Sequence, residues 1–212
     1  SSPTQRLETN GNAQFNAYDS GSGAGGYSAS GLIIGNGYDA GKSVGDDRNS
    51  IIWNERGLDL VFGTNNAEAL RIDYSGRVTK PLQPAFRVCK DNGDTSSTGY
   101  IVWNTPKINV GGHYSTSTGK FTAPVAGNYY FAVRALTFSA SQTNIWIGIK
   151  HNGNDVLQTY HTHTNHSNIS GEAIITMAVN DYVQIYWGGT GGIHTGSTSH
   201  HRYTFFQGHL IG

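Results

Sequence analysis

The sequence has little of several features that would point to common classes of protein. Only 13% of its 212 residues are charged, 14 basic residues balance 14 acidic ones, and there are 5 prolines and one cysteine. An average soluble protein carries about 25% charged residues. The single cysteine, Cys89, excludes an intrachain disulfide framework. The absence of net positive charge and of any basic run argues against nucleic-acid binding.

Long apolar runs are missing as well. No stretch approaches the roughly 18 apolar residues of a membrane-spanning helix, and the first residues lack the basic and apolar regions of a signal peptide. We therefore expect no membrane insertion. Because Met177 is the only methionine, we also expect the printed chain to be part of a longer protein.

The residues that are abundant favour β-structure. Glycine occupies 29 positions, and serine, threonine and asparagine are frequent, whereas leucine and methionine are scarce. Short apolar runs alternate with glycine and asparagine turns, which is typical of strands. The sequence therefore predicts an all-β protein.

The chain changes character near residue 80. All nine histidines follow that point, and Pro81 and Pro84 favour extended backbone between two folded parts. We predict a β-rich stalk of short strands at 1–80, a linker at 81–83 and a head at 84–212.

The apolar runs of the stalk are short. They lie at 32–34, 51–53, 58–62 and 69–72. A segment with so little apolar material could hardly fold alone, whereas several identical chains could bury these faces together. The sequence predicts short strands and an intertwined assembly for this part.

Strand signals are denser in the head. Residues 129–138 are apolar on both alternating sets, which predicts a strand buried on both faces. Alternating isoleucines from Ile145 lead to an Asn152-Gly153 turn, which predicts a β-hairpin. Further strands are predicted in a short series along the chain: 173–179, 182–187 and 203–211. Together these elements indicate a β-sandwich.

Several motifs follow one another in the head. They lie at 84–86 (PAF), 109–114 (NVGGHY), 118–131 (TGKFTAPVAGNYYF), 150–153 (KHNG), 180–183 (NDYV) and 206–210 (FQGHL). In this order they resemble the head domain of complement component 1q and its relatives. The resemblance implies a ten-stranded jelly-roll sandwich, of the kind shared with tumour necrosis factor, that assembles as a homotrimer.

The stalk carries a shorter resemblance. The segments 58–64 (LDLVFGT) and 68–78 (EALRIDYSGRV) are similar to segments of bacteriophage tail fibres. A fibre stalk and a trimeric head would share one threefold axis. This resemblance implies a virion appendage whose stalk contacts other virion proteins.

Histidines in a strand-like segment form the first candidate site. His161 and His163 would point to the same side of an extended chain, with His166 close by. On a threefold axis, three chains would offer six imidazoles to a transition metal such as iron or nickel, as His-x-His sites do in phage fibre tips. The alternative is an exposed polar loop.

The second candidate site is the Gly/Ser/Thr-rich stretch 188–199, predicted to be a long loop. Loops on a rigid sandwich commonly carry binding residues. The residues that we expect to contact a host-surface glycan or protein receptor are Trp187, His194, His200, His201 and Tyr203. In this hypothesis the Trp187 ring stacks on a sugar; the alternative is a solvated connection.

Other chemistry finds less support. Asp91-Asn92-Gly93-Asp94 could offer oxygen ligands to calcium, so calcium and an axial transition metal stay open as cofactors. The stretch 36–43 (NGYDAGKS) fails as a phosphate-binding loop, because Asn36 stands where glycine is required and no helical pattern follows. No catalytic motif is present, so we expect no enzyme activity.

These observations favour a trimeric virion appendage, such as a phage tail fibre, whose head binds a host receptor on the outside of the particle. One alternative is a secreted pattern-recognition lectin with the same head. Another is a structural protein that decorates a capsid or caps a fibre.

Overall fold

The computed structural model divides the chain into two compact units, Ser1–Pro81 and Leu82–Gly212. It describes residues 13–16, 31–36, 50–54, 58–90, 98–137, 142–163, 166–189, 191–194 and 203–212. In this described part of the chain, no helix has the length and apolar character needed to cross a membrane.

The described part of the first unit consists of short strands in two antiparallel sheets. One sheet has the order β1 (Ala13–Asn16), β2 (Gly31–Asn36), β3 (Ser50–Asn54). The other has the order β4 (Leu60–Thr64), β5 (Ala67–Ile72), β6 (Val78–Thr79). Strands β2 to β5 confirm the four short strands that the apolar runs predict.

Polar contacts hold the second of these sheets together. Asn65 and Asn66 turn the chain between β4 and β5 with φ of 48° and 61°, left-handed values that asparagine tolerates. Arg71 pairs with both Asp59 and Glu68. Large apolar side chains are nevertheless exposed on this sheet and in the segment just before β4: Leu58, Val61, Phe62 and Val78.

The described part of the second unit contains ten strands, the number that the resemblance to component 1q implies. They are β7 (Ala85–Cys89), β8 (Gly99–Tyr100), β9 (Thr105–Asn109), β10 (Phe121–Thr122), β11 (Gly127–Leu136), β12 (Gln142–His151), β13 (Asn154–His163), β14 (Asn168–Met177), β15 (Tyr182–Gly188) and β16 (Phe205–Leu210). A single 3-10 turn, Val110–Gly112, follows β9.

The ten strands form two antiparallel sheets of a jelly-roll sandwich. The first, here the β11 sheet, has the order β14-β11-β16-β7-β9. The second, here the β12 sheet, has the order β10-β15-β12-β13, and β8 pairs with β15 at its side. Strands that are neighbours in space are therefore often distant in sequence, as in β7 against β16.

The core lies between the two sheets. Alternate side chains of β11 (Tyr129, Phe131, Val133, Ala135) and of β12 (Ile145, Ile147, Ile149) are buried there. The Phe86 ring joins them, 4.9 Å from that of Phe121. Period-two alternation places one set of each strand inward.

Strand β11 is less completely buried than its sequence predicts. The inward set, beginning at Tyr129, is buried, but the other set, beginning at Tyr130, is only half-buried. A two-layer sandwich covers one face of each sheet, so the second apolar set of β11 lies on the outer face of the β11 sheet.

The predicted hairpin is confirmed. Asn152 and Gly153 join β12 to β13 with φ of 50° and 85°, the positive values of a type I′ turn. Asp181 secures this turn by accepting hydrogen bonds from Asn152 Nδ2 (2.7 Å) and Ala178 N (2.8 Å), with His151 Nε2 at 3.1 Å. These bonds hold the pKa of Asp181 below its ordinary value, with the Asn152 amide as the largest cause.

Candidate ligand-binding surface

Trp187 does not lie where a receptor could reach it. Its side chain is fully buried, and its indole N–H donates a 2.8 Å hydrogen bond to the Gly191 carbonyl. On β15 it pairs with Ile147, another buried residue, so both point into the core. The predicted stacking of Trp187 on a sugar is therefore wrong.

The rest of the predicted receptor loop is partly integrated into the sandwich. Ile193 is buried and bridges to Thr137, and the His194 N–H donates to the Leu136 carbonyl. The His194 ring contacts His166, with ring centroids 5.3 Å apart. Tyr203 is exposed.

Two further receptor residues, His200 and His201, lie outside the described residues, and so does the predicted calcium segment 91–94. Their roles stay predictions.

The predicted metal-binding histidines are on β13. His161 pairs with Ile145, a core residue, so it is on the core-facing side of the strand, and its Nε2 is 2.8 Å from Ser167 Oγ. His163 pairs with Gln142, and its side chain lies outside the described residues. Among the residues that the structure describes, no three His, Cys, Asp or Glu side chains converge as metal ligands would. The axial metal stays a prediction.

The β12 sheet carries a cluster of aromatic rings on the face turned away from the core. We call Tyr100, Trp146, Tyr160 and Tyr186 the aromatic surface. The rings of Trp146 and Tyr186 stack at 5.1 Å with an interplanar angle of 16°. Tyr100 meets Tyr186 edge-on at 5.1 Å, and Tyr160 lies 6.2 Å from Trp146. Four strands thus bring four rings into one contiguous patch.

The strand register explains this patch. Tyr100 pairs with Tyr186, and Trp146 pairs with Tyr160, so neighbouring strands present aromatic residues side by side. Trp146 is two positions from Gly148 and alternates with the buried isoleucines of β12. The outward direction follows from that alternation.

Two glycines make room for the indole of Trp146. A Cβ on Gly188, the cross-strand partner of Trp146, would lie 2.1 Å from the indole Cε2. A Cβ on Gly148 would lie 3.0 Å from its Cζ3. The indole therefore rests directly on the backbone of the sheet, in space that any other residue would fill.

Charged groups border the aromatic surface. Lys150 Nζ lies 5.2 Å from the ring centroid of Tyr186 and 2.7 Å from Asp155 Oδ1. The Lys150 ammonium is the largest cause that keeps the pKa of Asp155 below its ordinary value. Farther along the sheet, Lys120 Nζ stands 3.7 Å from the ring centroid of Tyr182. Rings and polar groups together can bind a ligand that has both an apolar face and hydroxyl groups.

The outer face of the β11 sheet differs in character. It has a shallow depression of about 520 Å³ whose lining includes Arg134, Phe205 and Gln207. Tyr130 donates a 2.6 Å hydrogen bond from its hydroxyl to Glu172 Oε2, which raises the pKa of the phenol. Ile174 is 66% exposed on the same sheet.

The sequence contained a signal for the aromatic surface. Trp146 and Lys150 belong to the set that alternates with the core isoleucines, so β12 had to turn them outward. We placed the binding tryptophan at Trp187 because it precedes a polar loop. Only the pairing of β12 with β13 and β15 brings the tyrosines next to Trp146.

Comparisons with known proteins concern the second unit. The family model of the C1q domain matches residues 85–211. Complement C1q tumor necrosis factor-related protein 3 of Mus musculus is 27% identical over 136 residues, which are 63% of this chain and 53% of that protein. Complement C1q tumor necrosis factor-related protein 2 of Mus musculus is 34% identical over 89 residues, 41% of this chain and 29% of that protein. The chain thus spans about half or less of the length of these relatives.

Solved structures also match. Murine APRIL at pH 5.0 superposes with a TM-score of 0.50 at 9% identity, covering 61% of this chain and 99% of that chain, a likeness of fold alone. The globular domain of zebrafish complement 1qA is 21% identical, with a TM-score of 0.45, and covers 61% of this chain and 98% of its own.

The family match bears on two predictions. C1q domains belong to non-enzymatic signalling or recognition proteins, in agreement with the expectation that this domain is not an enzyme. They commonly form homotrimers, in agreement with the predicted assembly. The matched motifs, the ten-stranded sandwich and the family model agree over more than half of the sequence, and the chain belongs to the C1q domain family.

Proposed function

We propose that this chain is a secreted, trimeric recognition protein whose C1q domain binds carbohydrate through the aromatic surface. The observation that carries the proposal is a patch of four aromatic rings that β12, β13, β15 and β8 turn away from the core. Tyr160 is 64% exposed at one end of this patch, and Tyr100 is exposed at the other end. A folded domain rarely leaves a contiguous aromatic patch uncovered unless something binds there.

Carbohydrate suits this surface for chemical reasons. One face of a pyranose ring presents C–H groups that pack on an aromatic ring, while its hydroxyls need hydrogen-bonding partners at the edge. Trp146 and Tyr186 offer rings, and Lys150 and Asp155 offer polar groups next to them. The site is shallow, so we expect each domain to bind weakly.

Trimerisation would compensate for weak single sites. When a target displays many copies of a glycan, binding of one subunit brings the other two surfaces of the trimer close to the target. The effective concentration of glycan at those two surfaces is then high. The exposed Ile174 and the depression on the β11 sheet support a subunit contact on the other side of the sandwich. Such a contact would leave the aromatic surface free.

A virion appendage that binds a host through the same head is the second candidate function. Its support is the resemblance of residues 58–78 to tail-fibre segments and the exposed apolar side chains of β4, which copies of the chain could bury together. The family match and the mammalian relatives support the secreted protein instead. Fractionation of the natural source separates the two: a secreted protein stays free in the medium, and an appendage sediments with particles.

The binding proposal is tested on a glycan array with the full chain. We expect selective binding that is lost in Tyr160→Ala and retained in Tyr74→Ala, a matched control because Tyr74 is 73% exposed in the first unit. Size exclusion with light scattering should give three times 22.8 kDa for all three proteins. Binding that survives in Tyr160→Ala and in Trp146→Ala would refute the assignment of the aromatic surface.

A further inference from the structure

The ion pair of Lys150 and Asp155, beside the aromatic surface, differs in geometry from an ordinary surface ion pair. Lys150 and Asp155 face each other across β12 and β13, with Nζ and Oδ1 2.7 Å apart. The Lys150 side chain is only 13% exposed, whereas that of Asp155 is 44% exposed. The pair thus presents the carboxylate to the solvent.

The position of the pair fits one sugar residue. Lys150 Nζ is 5.2 Å from the ring centroid of Tyr186 and 6.0 Å from that of Trp146. A ligand that packs on the aromatic surface at this point therefore lies next to the ion pair. Its hydroxyl groups would meet the exposed carboxylate first.

The chemistry of the pair selects among ligands. An ionised carboxylate only accepts hydrogen bonds, and its two oxygens offer more acceptor sites than Lys150 uses. Hydroxyl groups are the donors that a sugar can offer it. The lysine charge is already compensated by Asp155, so the pair attracts no net anion.

We propose that Asp155, positioned by Lys150, accepts hydrogen bonds from hydroxyls of a neutral pyranose that packs on the aromatic surface beside Trp146 and Tyr186. This inference rests on the proposed function and adds the ligand class and the residue that selects it. An acidic sugar would bring a second negative charge to Asp155. The site should therefore prefer neutral hexoses over uronic acids of the same configuration.

Isothermal titration of the full chain tests this with defined probes. The probes are the methyl pyranosides of glucose, galactose and mannose, and glucuronic acid as the anionic counterpart. We expect a neutral hexoside to bind better than glucuronic acid. Asp155→Asn should weaken its binding by at least about tenfold, because a hydrogen bond to a charged group is lost.

Glu68→Gln provides the matched control. Glu68 is also a carboxylate in an ion pair, with Arg71, but it belongs to the first unit. Its variant should bind as the unchanged protein does. Far-UV circular dichroism and native mass should show that both variants are folded and equally assembled.

The outcomes separate the inference from the proposed function. Loss of binding in Trp146→Phe or Tyr160→Ala with less than a twofold effect of Asp155→Asn would overturn the inference and leave carbohydrate recognition standing. Tighter binding of glucuronic acid would do the same. If no sugar binds, both ideas fall.

Discussion

Two tryptophans on neighbouring strands should differ in how much folding stability is lost when each is replaced by alanine. Trp187 is fully buried and donates a hydrogen bond to Gly191, whereas Trp146 lies on the outer face of the same sheet. Replacing a buried Trp by Ala costs about 3–5 kcal/mol, and the Gly191 carbonyl would also lose its partner. For Trp146→Ala the cost is about 1–2 kcal/mol, the sum of partial burial and one stacked aromatic pair.

Urea unfolding followed by far-UV circular dichroism measures this difference. With a dependence on urea of roughly 1–3 kcal/mol per molar, a gap of about 2–3 kcal/mol separates the two midpoints by about 0.7–3 M. All proteins should be compared at one protomer concentration, because subunit association contributes to stability. Trp146→Ala should lose glycan binding although it is the more stable variant. Equal midpoints, or a lower one for Trp146→Ala, would refute the placement of the two indoles.

Three further predictions concern other parts of the head. Gly189→Ala should lower the unfolding midpoint clearly, since Gly189 has φ of 101° and a Cβ would lie 2.3 Å from the Asn144 carbonyl oxygen; an unchanged midpoint would contradict this backbone approach. Asp181 has a lowered pKa when folded, so its contribution is present above the unfolded pKa near 3.9 and is lost as pH falls through the folded pKa; Asp181→Asn should therefore flatten the acid side of a stability–pH curve. If His161 and His163 hold the predicted axial metal, a strong chelator should dissociate the trimer and lower its native mass; an unchanged native mass would refute that metal.

Local patterns predicted most strands because each strand carries its own signal. Alternating isoleucines and the Asn152-Gly153 turn specify the β12–β13 hairpin without help from the rest of the chain. The sandwich class followed from the number and spacing of such segments, and the ten-strand jelly roll followed from the resemblance to component 1q.

The binding residues were harder to predict because exposure depends on register. Trp146 alternates with the core isoleucines of β12, and Trp187 belongs to the alternating set of β15 that includes Ile185, so each tryptophan is on one defined side of its strand. What separates them is the side of the sheet on which each falls once β12 has paired with β15. A shift of one residue in that pairing would exchange their environments.

The sequence by itself determined the β class, the position of most strands, the turn of the β12–β13 hairpin and the series of motifs that resembles component 1q. These features depend on residues that are close together in the chain. The tertiary structure decided which tryptophan is core and which is surface, and it alone assembled Tyr100, Trp146, Tyr160 and Tyr186 into one patch. The physical reason is that a binding surface on a jelly roll is made of single residues from strands far apart in sequence. Only hydrogen-bonded pairing between those strands puts the residues side by side.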